Sequence, residues 1–197
     1  MECKSGLIIL AAGSSSRLGQ PKQLLEYNGV TLLRNIIAQA SGIVHAAIVV
    51  VTGANREAIE SELQYGAVTV YHNSNWAQGM GSSIAVGLHH LLKIQPNIKS
   101  CIFTVCDQPF ITSQVFQDLI EQHIITGKGI VASAYAETLG TPMLFSHTHF
   151  NVLLNLSGQD GAKKLLQLYQ DDVASVSFEK GATDIDTLSD YDNLINL

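Results

Sequence analysis

The sequence is short of charge, cysteine, proline and arginine, and each shortage removes a class of protein. Charged residues make up 14% of the 197 positions and hydrophobic ones 46%. A chain with that much apolar surface and that little charge folds instead of staying disordered. The three cysteines, Cys3, Cys101 and Cys106, form no C-x-x-C pair, and an odd number leaves one over in any disulfide scheme. Free, reduced thiols are expected. No apolar run approaches the roughly 18 residues that a membrane span requires, so no membrane partner is expected. The opening Met1-Glu2-Cys3-Lys4 leads only into the short run Leu7-Ile8-Ile9-Leu10. That is too little for the apolar centre of a secretory signal, and the expected location is cytoplasmic. Lysine and arginine total 11 against 17 acidic residues, for a net charge of −6. This balance excludes a general nucleic-acid binder, which needs a basic face to follow phosphates. A small anion held by a few local cations stays compatible, and Arg17, Arg34 and Arg56 are the three arginines available.

What is present is an alternation of short apolar runs with longer amphipathic stretches. Strands are expected at Leu7–Ala11, Ala46–Val51, Ala67–Tyr71, Ile102–Val105 and Ile130–Tyr135. Helices are expected at Thr31–Ala40, Asn55–Gln64, Ser82–Leu92 and Ser113–Thr126. Continuous apolar strands alternating with helices imply an α/β fold with a mostly parallel sheet covered on both faces. Beyond Tyr135 the pattern loosens. Thr141–Phe145 reads as extended, Ala162–Leu168 as helical, Val173–Phe178 as a strand and Leu188–Leu194 as a closing helix. With no low-complexity linker and no repeat, residues 1–197 read as one domain.

The richest segment is Leu10-Ala11-Ala12-Gly13-Ser14-Ser15-Ser16-Arg17-Leu18-Gly19-Gln20-Pro21-Lys22. It follows the first strand, at the carboxyl edge where open α/β sheets bind ligands. Small residues let backbone N–H groups approach phosphate oxygens, and Arg17 and Lys22 add positive charge. Gly19 is followed by Gln20-Pro21, so this is no Walker loop, and Gly13-Ser14-Ser15 breaks the dinucleotide pattern G-x-G-x-x-G. A plain Gly/Ser surface loop is the bland alternative.

Three further segments carry candidate chemistry. Asn73-Ser74-Asn75-Trp76-Ala77-Gln78-Gly79-Met80-Gly81-Ser82-Ser83 precedes an apolar helix, where Ser82 or Ser83 could serve only as a cap. Cys101–Cys106 is a strand ending in Asp107-Gln108-Pro109. A carboxylate there faces the same crevice as the first loop and suits Mg²⁺, though Asp before a Pro also forms simple turns. Asp184-Ile185-Asp186-Thr187 offers a cap for the last helix, through Asp186 or Thr187. His89-His90 and His147-Thr148-His149 lack the i, i+4 spacing of a helical metal pair.

The string L-A-A-G-x-S-x-R-L-G-x-P-K, continued by Leu24-Leu25, resembles the signature of the MobA-like nucleotidyltransferase superfamily, and most of all its molybdenum cofactor cytidylyltransferase branch. The resemblance implies a three-layer Rossmann-like fold. It implies nucleotide contacts from Leu10, Ala11, Ala12, Gly13, Ser14, Ser15, Arg17, Lys22, Gly79, Ser83 and Asp107. Arg17 would hold the β- and γ-phosphates, and Lys22 would stabilise charge on the α-phosphate. Asp107 and Asp186 would hold Mg²⁺, with Asp184 a weaker candidate. The implied reaction moves CMP from CTP to a small phosphorylated acceptor, molybdopterin, and releases pyrophosphate; a client molybdoenzyme is an implied partner. The spelling Ala11-Ala12-Gly13 suits the pyrimidine-using branches. Other readings are another NTP or acceptor (methylerythritol phosphate, phospholactate, a sugar phosphate), or a non-catalytic carrier of cofactor to a molybdoenzyme. Gly140-Thr141-Pro142-Met143-Leu144-Phe145 matches the family's acceptor-side strand. Gly158-Gln159-Asp160-Gly161-Ala162-Lys163 departs from G-D-x-G-A-R, with the acid shifted by one position and Lys in place of Arg. Leu188 and Ser189 likewise replace Pro and Glu after Asp186.

Overall fold

A computed structural model describes residues 5–44, 46–63, 68–158 and 161–196. One seven-stranded sheet organises the chain, in the order β5-β4-β1-β6-β8-β7-β9. The strands are β1 (Ser5–Ala11), β4 (Ile48–Thr52), β5 (Thr69–His72), β6 (Ser100–Val105), β7 (Ile130–Tyr135), β8 (Thr138–Ser146) and β9 (Val173–Ser177). Alternation along β1 shows why the sheet is covered on both faces. Leu7, Ile9 and Ala11 enter one core cluster and Ile8 enters the other, all fully buried. On the first face lie α1 (Leu32–Ser41), α2 (Arg56–Glu62) and α4 (Ser113–Thr126), contributing Ile36, Ile59 and Phe116. On the second lie α3 (Met80–Ile94), α5 (Phe150–Leu154) and α6 (Lys163–Leu168), contributing Leu88, Leu153 and Leu165. The result is the expected three-layer α/β fold. No described helix is long and apolar enough to cross a membrane.

Four strand pairings are parallel, and the two made by β8 are antiparallel. β8 is longer than the extended Thr141–Phe145 stretch and inserts between β6 and β7. It turns back from β7 through Ala136 and Glu137, both in the left-handed region (φ 45 and 57). Of the expected strand Ala67–Tyr71, Ala67 lies outside the described residues, and the observed strand runs one residue further, to His72. The expected helix end at Gln64 also lies outside them. A small hairpin, β2 (Glu26–Tyr27) and β3 (Val30–Thr31), and the short α5 were not anticipated. The closing helix α7 (Leu188–Ile195) is observed as expected. Cys101 and Cys106 are free and buried, and Cys3 lies outside the described residues.

Candidate active site

β1, β4 and β6 run parallel and adjacent, so the loops leaving their carboxyl ends open on one edge of the sheet. Leu10 pairs with Val105, which sets the loop after β1 directly beside Asp107. The loop is folded by its own polar groups. Ser15 takes a left-handed conformation (φ 51), its carbonyl accepts from the N–H groups of Leu18 and Gly19, and its hydroxyl accepts from Lys22 N at 3.1 Å. A bulky residue would strain such a turn; a short polar one is tolerated. Gln23, 2% exposed, donates its amide to the carbonyls of Ala11 (3.0 Å) and Gly13 (3.4 Å). It pins both ends of the loop's first turn and was not foreseen. A lone polar residue opening the Leu24-Leu25 run was its only trace in the sequence.

The charges meet at one point. Lys22 Nζ donates to Asp107 Oδ2 at 2.7 Å and to Asp186 Oδ1 at 2.9 Å, and Arg17 donates to Asp186 Oδ2 at 2.8 Å. Burial of Lys22 opposes its charge, but the facing carboxylates outweigh it and raise its pKa. The Lys22 hydrogen bond lowers the pKa of Asp186, with burial opposing and Arg17 adding to the effect. Burial, then repulsion from Asp107 and Asp186, pushes Asp184 the other way. The Arg17 side chain is 71% exposed. An ion pair that open to water contributes little, so Arg17 is free to exchange its carboxylate for another anion.

The cap that Ser82 or Ser83 offered as the bland alternative is not there. Gly79 is the N-cap of α3, at φ 118 and ψ −179, a conformation essentially restricted to glycine. Both serine hydroxyls instead sit within the first turn and accept from the Asn73 amide at 2.9 and 3.0 Å. At the last helix the two readings of the Asp-Ile-Asp-Thr segment divide between neighbours. Thr187 and Asp190 form a capping box, which leaves the Asp186 carboxylate to Lys22 and Arg17.

A cleft of about 340 Å³ is lined by Leu10, Ala12, Gly13, Ser14, Lys22, Gln23, Trp76, Gly79, Ser83 and Asp107, among others. A second hollow of about 220 Å³ shares Gly13, Ser14 and Lys22 and adds Ser15, Arg17 and Asp186. Ala11 stands apart from the other candidates. Its side chain is fully buried in the core on the opposite face, and only its carbonyl takes part, through Gln23. Trp76 packs on the core beside the cleft, as an anchor, and also lines it. Burial, with Asp107 adding, pushes the Cys106 thiol well up, so it is inert despite lining the cleft. Gln159 and Asp160 lie outside the described residues, while Lys163 donates to the Thr138 hydroxyl at 2.9 Å. Among the described residues no three His, Cys, Asp or Glu side chains converge as a ready-made metal cage. Two carboxylates held around one cation nevertheless fit Mg²⁺, which usually takes one or two carboxylates and completes its shell with phosphate oxygens and water.

The family description MobA-like NTP transferase domain matches residues 7–174. Among curated proteins, the chain is 28% identical over 209 residues to a nicotine blue oxidoreductase of Paenarthrobacter nicotinovorans, covering 99% of this chain and 98% of that one. It is 27% identical to the molybdenum cofactor cytidylyltransferase of Escherichia coli K12, covering 71% and 68%. Among solved structures, Rv0371c from Mycobacterium tuberculosis H37Rv superposes with a TM-score of 0.83 at 27% identity over 98% of both chains. The manganese complex of Rv0371c superposes at 0.78, with 25% identity and 98% coverage of both chains.

Proposed function

This chain belongs to the MobA-like NTP transferase family and is a nucleotidyltransferase; from that premise we propose that it moves CMP from CTP to a small phosphorylated acceptor, molybdopterin. The observation that carries the reading is the contact of Lys22 with Asp107 and Asp186 beside a small-residue loop. The proposal takes residues 1–197 as a single domain, acting in the cytoplasm and serving a client molybdoenzyme.

In this reading the larger cleft takes the base and ribose, against Leu10, Ala12, Gly79 and Ser83. The smaller hollow takes the phosphates, against Gly13, Ser14, Ser15 and Arg17. Asp107 and Asp186 would hold Mg²⁺, and the manganese-bound relative supports a divalent ion. A cation held there would supply positive charge to the phosphate oxygens, stabilising the charge that builds on them. Arg17 gives up its exposed contact with Asp186 for the outer phosphates. Lys22, half-buried and charged, turns from the carboxylates to the α-phosphate, where charge builds as an acceptor phosphate oxygen attacks and pyrophosphate leaves. The protein then supplies position and charge, with no covalent intermediate.

The test is pyrophosphate release with each of the four NTPs and molybdopterin, with and without Mg²⁺, repeated with methylerythritol phosphate, phospholactate and a sugar phosphate. Release that is metal-dependent and highest with CTP and molybdopterin supports the proposal; turnover with another pair reassigns the substrates. A simpler companion measurement is thermal protection. CTP with Mg²⁺ is expected to raise Tm more than GTP at equal concentration, since a ligand at about 100 times its Kd adds about 2.7 kcal/mol to the folded state. Stronger protection by GTP moves the chain to the guanylyl-transferring branch.

The full-length likeness to a nicotine blue oxidoreductase favours one second reading, oxidoreductase action on nicotine blue. Against it stands the first loop, which lacks the G-x-G-x-x-G pattern of dinucleotide binding. Loss of NADH or NADPH absorbance with nicotine blue, and no pyrophosphate release with any NTP, would establish that reading instead.

A further inference from the structure

Asp107 and Asp186 stand 79 residues apart in the chain, and only Asp107 closely follows a strand. Asp186 lies between a short 3-10 turn, Glu179–Ala182, and the cap of α7, in a stretch without helix or strand. Something other than its own secondary structure must therefore hold it opposite Asp107. One contact is backbone to backbone, with Ile185 N donating to the Asp107 carbonyl at 2.9 Å. Beyond the shared Lys22 ammonium, a further tie comes from the side chain next to Asp107. Gln108 is 4% exposed, and its amide Nε2 donates to the Gly181 carbonyl at 2.9 Å and to the Thr141 carbonyl at 3.0 Å.

The two acceptors dictate the orientation of that amide. Turning it over would set Oε1 against two carbonyl oxygens, and a side chain without donors would take this bond from both carbonyls, the one at Gly181 in a buried setting. Gln108 Oε1 itself finds no partner among the described residues. The arrangement thus commits both donors of the amide. Its far end is equally constrained. A Cβ on Gly181 would stand 2.5 Å from the Phe178 ring and 2.6 Å from that of Tyr135, so the glycine lets the chain pass against these rings. Those rings pack edge to face, 6.2 Å between centroids. The carbonyl that Gln108 holds is therefore fixed against β7, and the segment leading to Asp186 starts from that point.

We propose that Gln108 is a positioning residue that sets the separation of the Asp107 and Asp186 carboxylates by tying the Gly181 and Thr141 carbonyls to the end of β6. The inference rests on the reading of this carboxylate pair as the metal site. It adds that the pair is assembled from the Asp107 side, through a residue that touches neither metal nor nucleotide. Because Thr141 lies on β8, the same amide also ties the strand matched to the family's acceptor side to the pair.

The experiment compares Gln108→Met, of similar length but without donors, with Phe116→Leu, which trims the distant core and serves as a control for lost stability. Mn²⁺ binding to the CTP-bound protein is followed by electron paramagnetic resonance, and CTP binding without metal by calorimetry. Gln108→Met is expected to weaken Mn²⁺ binding about tenfold, the lower end of what orienting partners of ligands contribute. Metal-free CTP binding should stay within about twofold of the unsubstituted protein. Phe116→Leu should leave both unchanged. If Gln108→Met does not fold, Gln108→Asn, which withdraws the amide by one methylene, is measured in its place with the same expectation. Unchanged Mn²⁺ affinity in the Gln108 variant, or an equal loss in Phe116→Leu, overturns the proposal. Absence of Mn²⁺ binding in the unsubstituted CTP complex overturns the metal reading itself, and that failure is visible before any substitution is made.

Discussion

Asp107→Asn is expected to lower pyrophosphate release by about 10²-fold or more while shifting Tm by only a few degrees. Asparagine fills the same volume and keeps an oxygen for Lys22 Nζ, which also retains Asp186 at 2.9 Å. The folded state then loses about 1 kcal/mol or less, which for a domain of this size moves Tm by about 2–4 °C. Catalysis has no such compensation. A neutral amide is a poor ligand for a hard dication, and the metal's stabilisation of transition-state charge amounts to several kcal/mol, about tenfold in rate for each 1.4 kcal/mol. Near-normal release by the variant at saturating Mg²⁺ would show that Asp107 is not a metal ligand. A large fall in Tm with a proportionate fall in activity would make it a structural residue.

Lys22→Ala is expected to lower kcat by about 10²–10³-fold with a much smaller change in CTP affinity. Contacts that strengthen in the transition state act on kcat, whereas uniform contacts act on KM. Lys22 is set up for the former. Pro21 restricts Gln20 to extended conformations, and the Ser15 hydroxyl holds Lys22 N, so the ammonium leaves the backbone from a fixed point. Arg17→Ala should behave differently, because its exposed guanidinium reaches the outer phosphates and more of its effect falls on binding. Single-turnover rates and CTP affinities of the two variants, measured side by side, separate these roles. The structure adds a second readout. With Lys22 gone, Asp107 and Asp186 face each other without their shared cation, so the variant should bind Mn²⁺ in the absence of nucleotide more tightly than the unsubstituted protein. Normal single-turnover rate in Lys22→Ala at saturating CTP would reduce Lys22 to a binding residue. Unchanged Mn²⁺ affinity would mean that its ammonium does not compete for the carboxylates.

Much of this site was legible from local chemistry. The first loop announced itself because phosphate binding needs small residues at a strand end, and that need leaves a contiguous trace from Ala11 to Lys22. The inner strands β1, β4, β6 and β7 were legible because burial on both faces demands largely apolar runs. The hairpin of β2 and β3 was missed although its turn, Asn28-Gly29, is a strong hairpin signal (φ 54 and 79). Its strands are two residues each, too short for any alternation to register. Ala11 was read as a nucleotide contact because the loop motif includes it, but the two-residue period of β1 turns its side chain into the core.

The sequence by itself determined the three-layer α/β class, the phosphate-type loop with Arg17 and Lys22, and the candidacy of Asp107 and Asp186. The first two depend on neighbours in the chain or on a periodicity within one element, and the candidacy of Asp186 on the resemblance of its motif to the family's. The tertiary structure alone decided that β8 runs antiparallel between β6 and β7, because strand order follows from long-range pairing that no local pattern encodes. It alone decided that the two aspartates meet across Lys22, that Gln23 pins the loop, and that Gln108 reaches Gly181 and Thr141. A glutamine in a sequence has no fixed partner. Only when the surrounding chain has excluded water and left particular carbonyls without a donor does one of its orientations become obligatory.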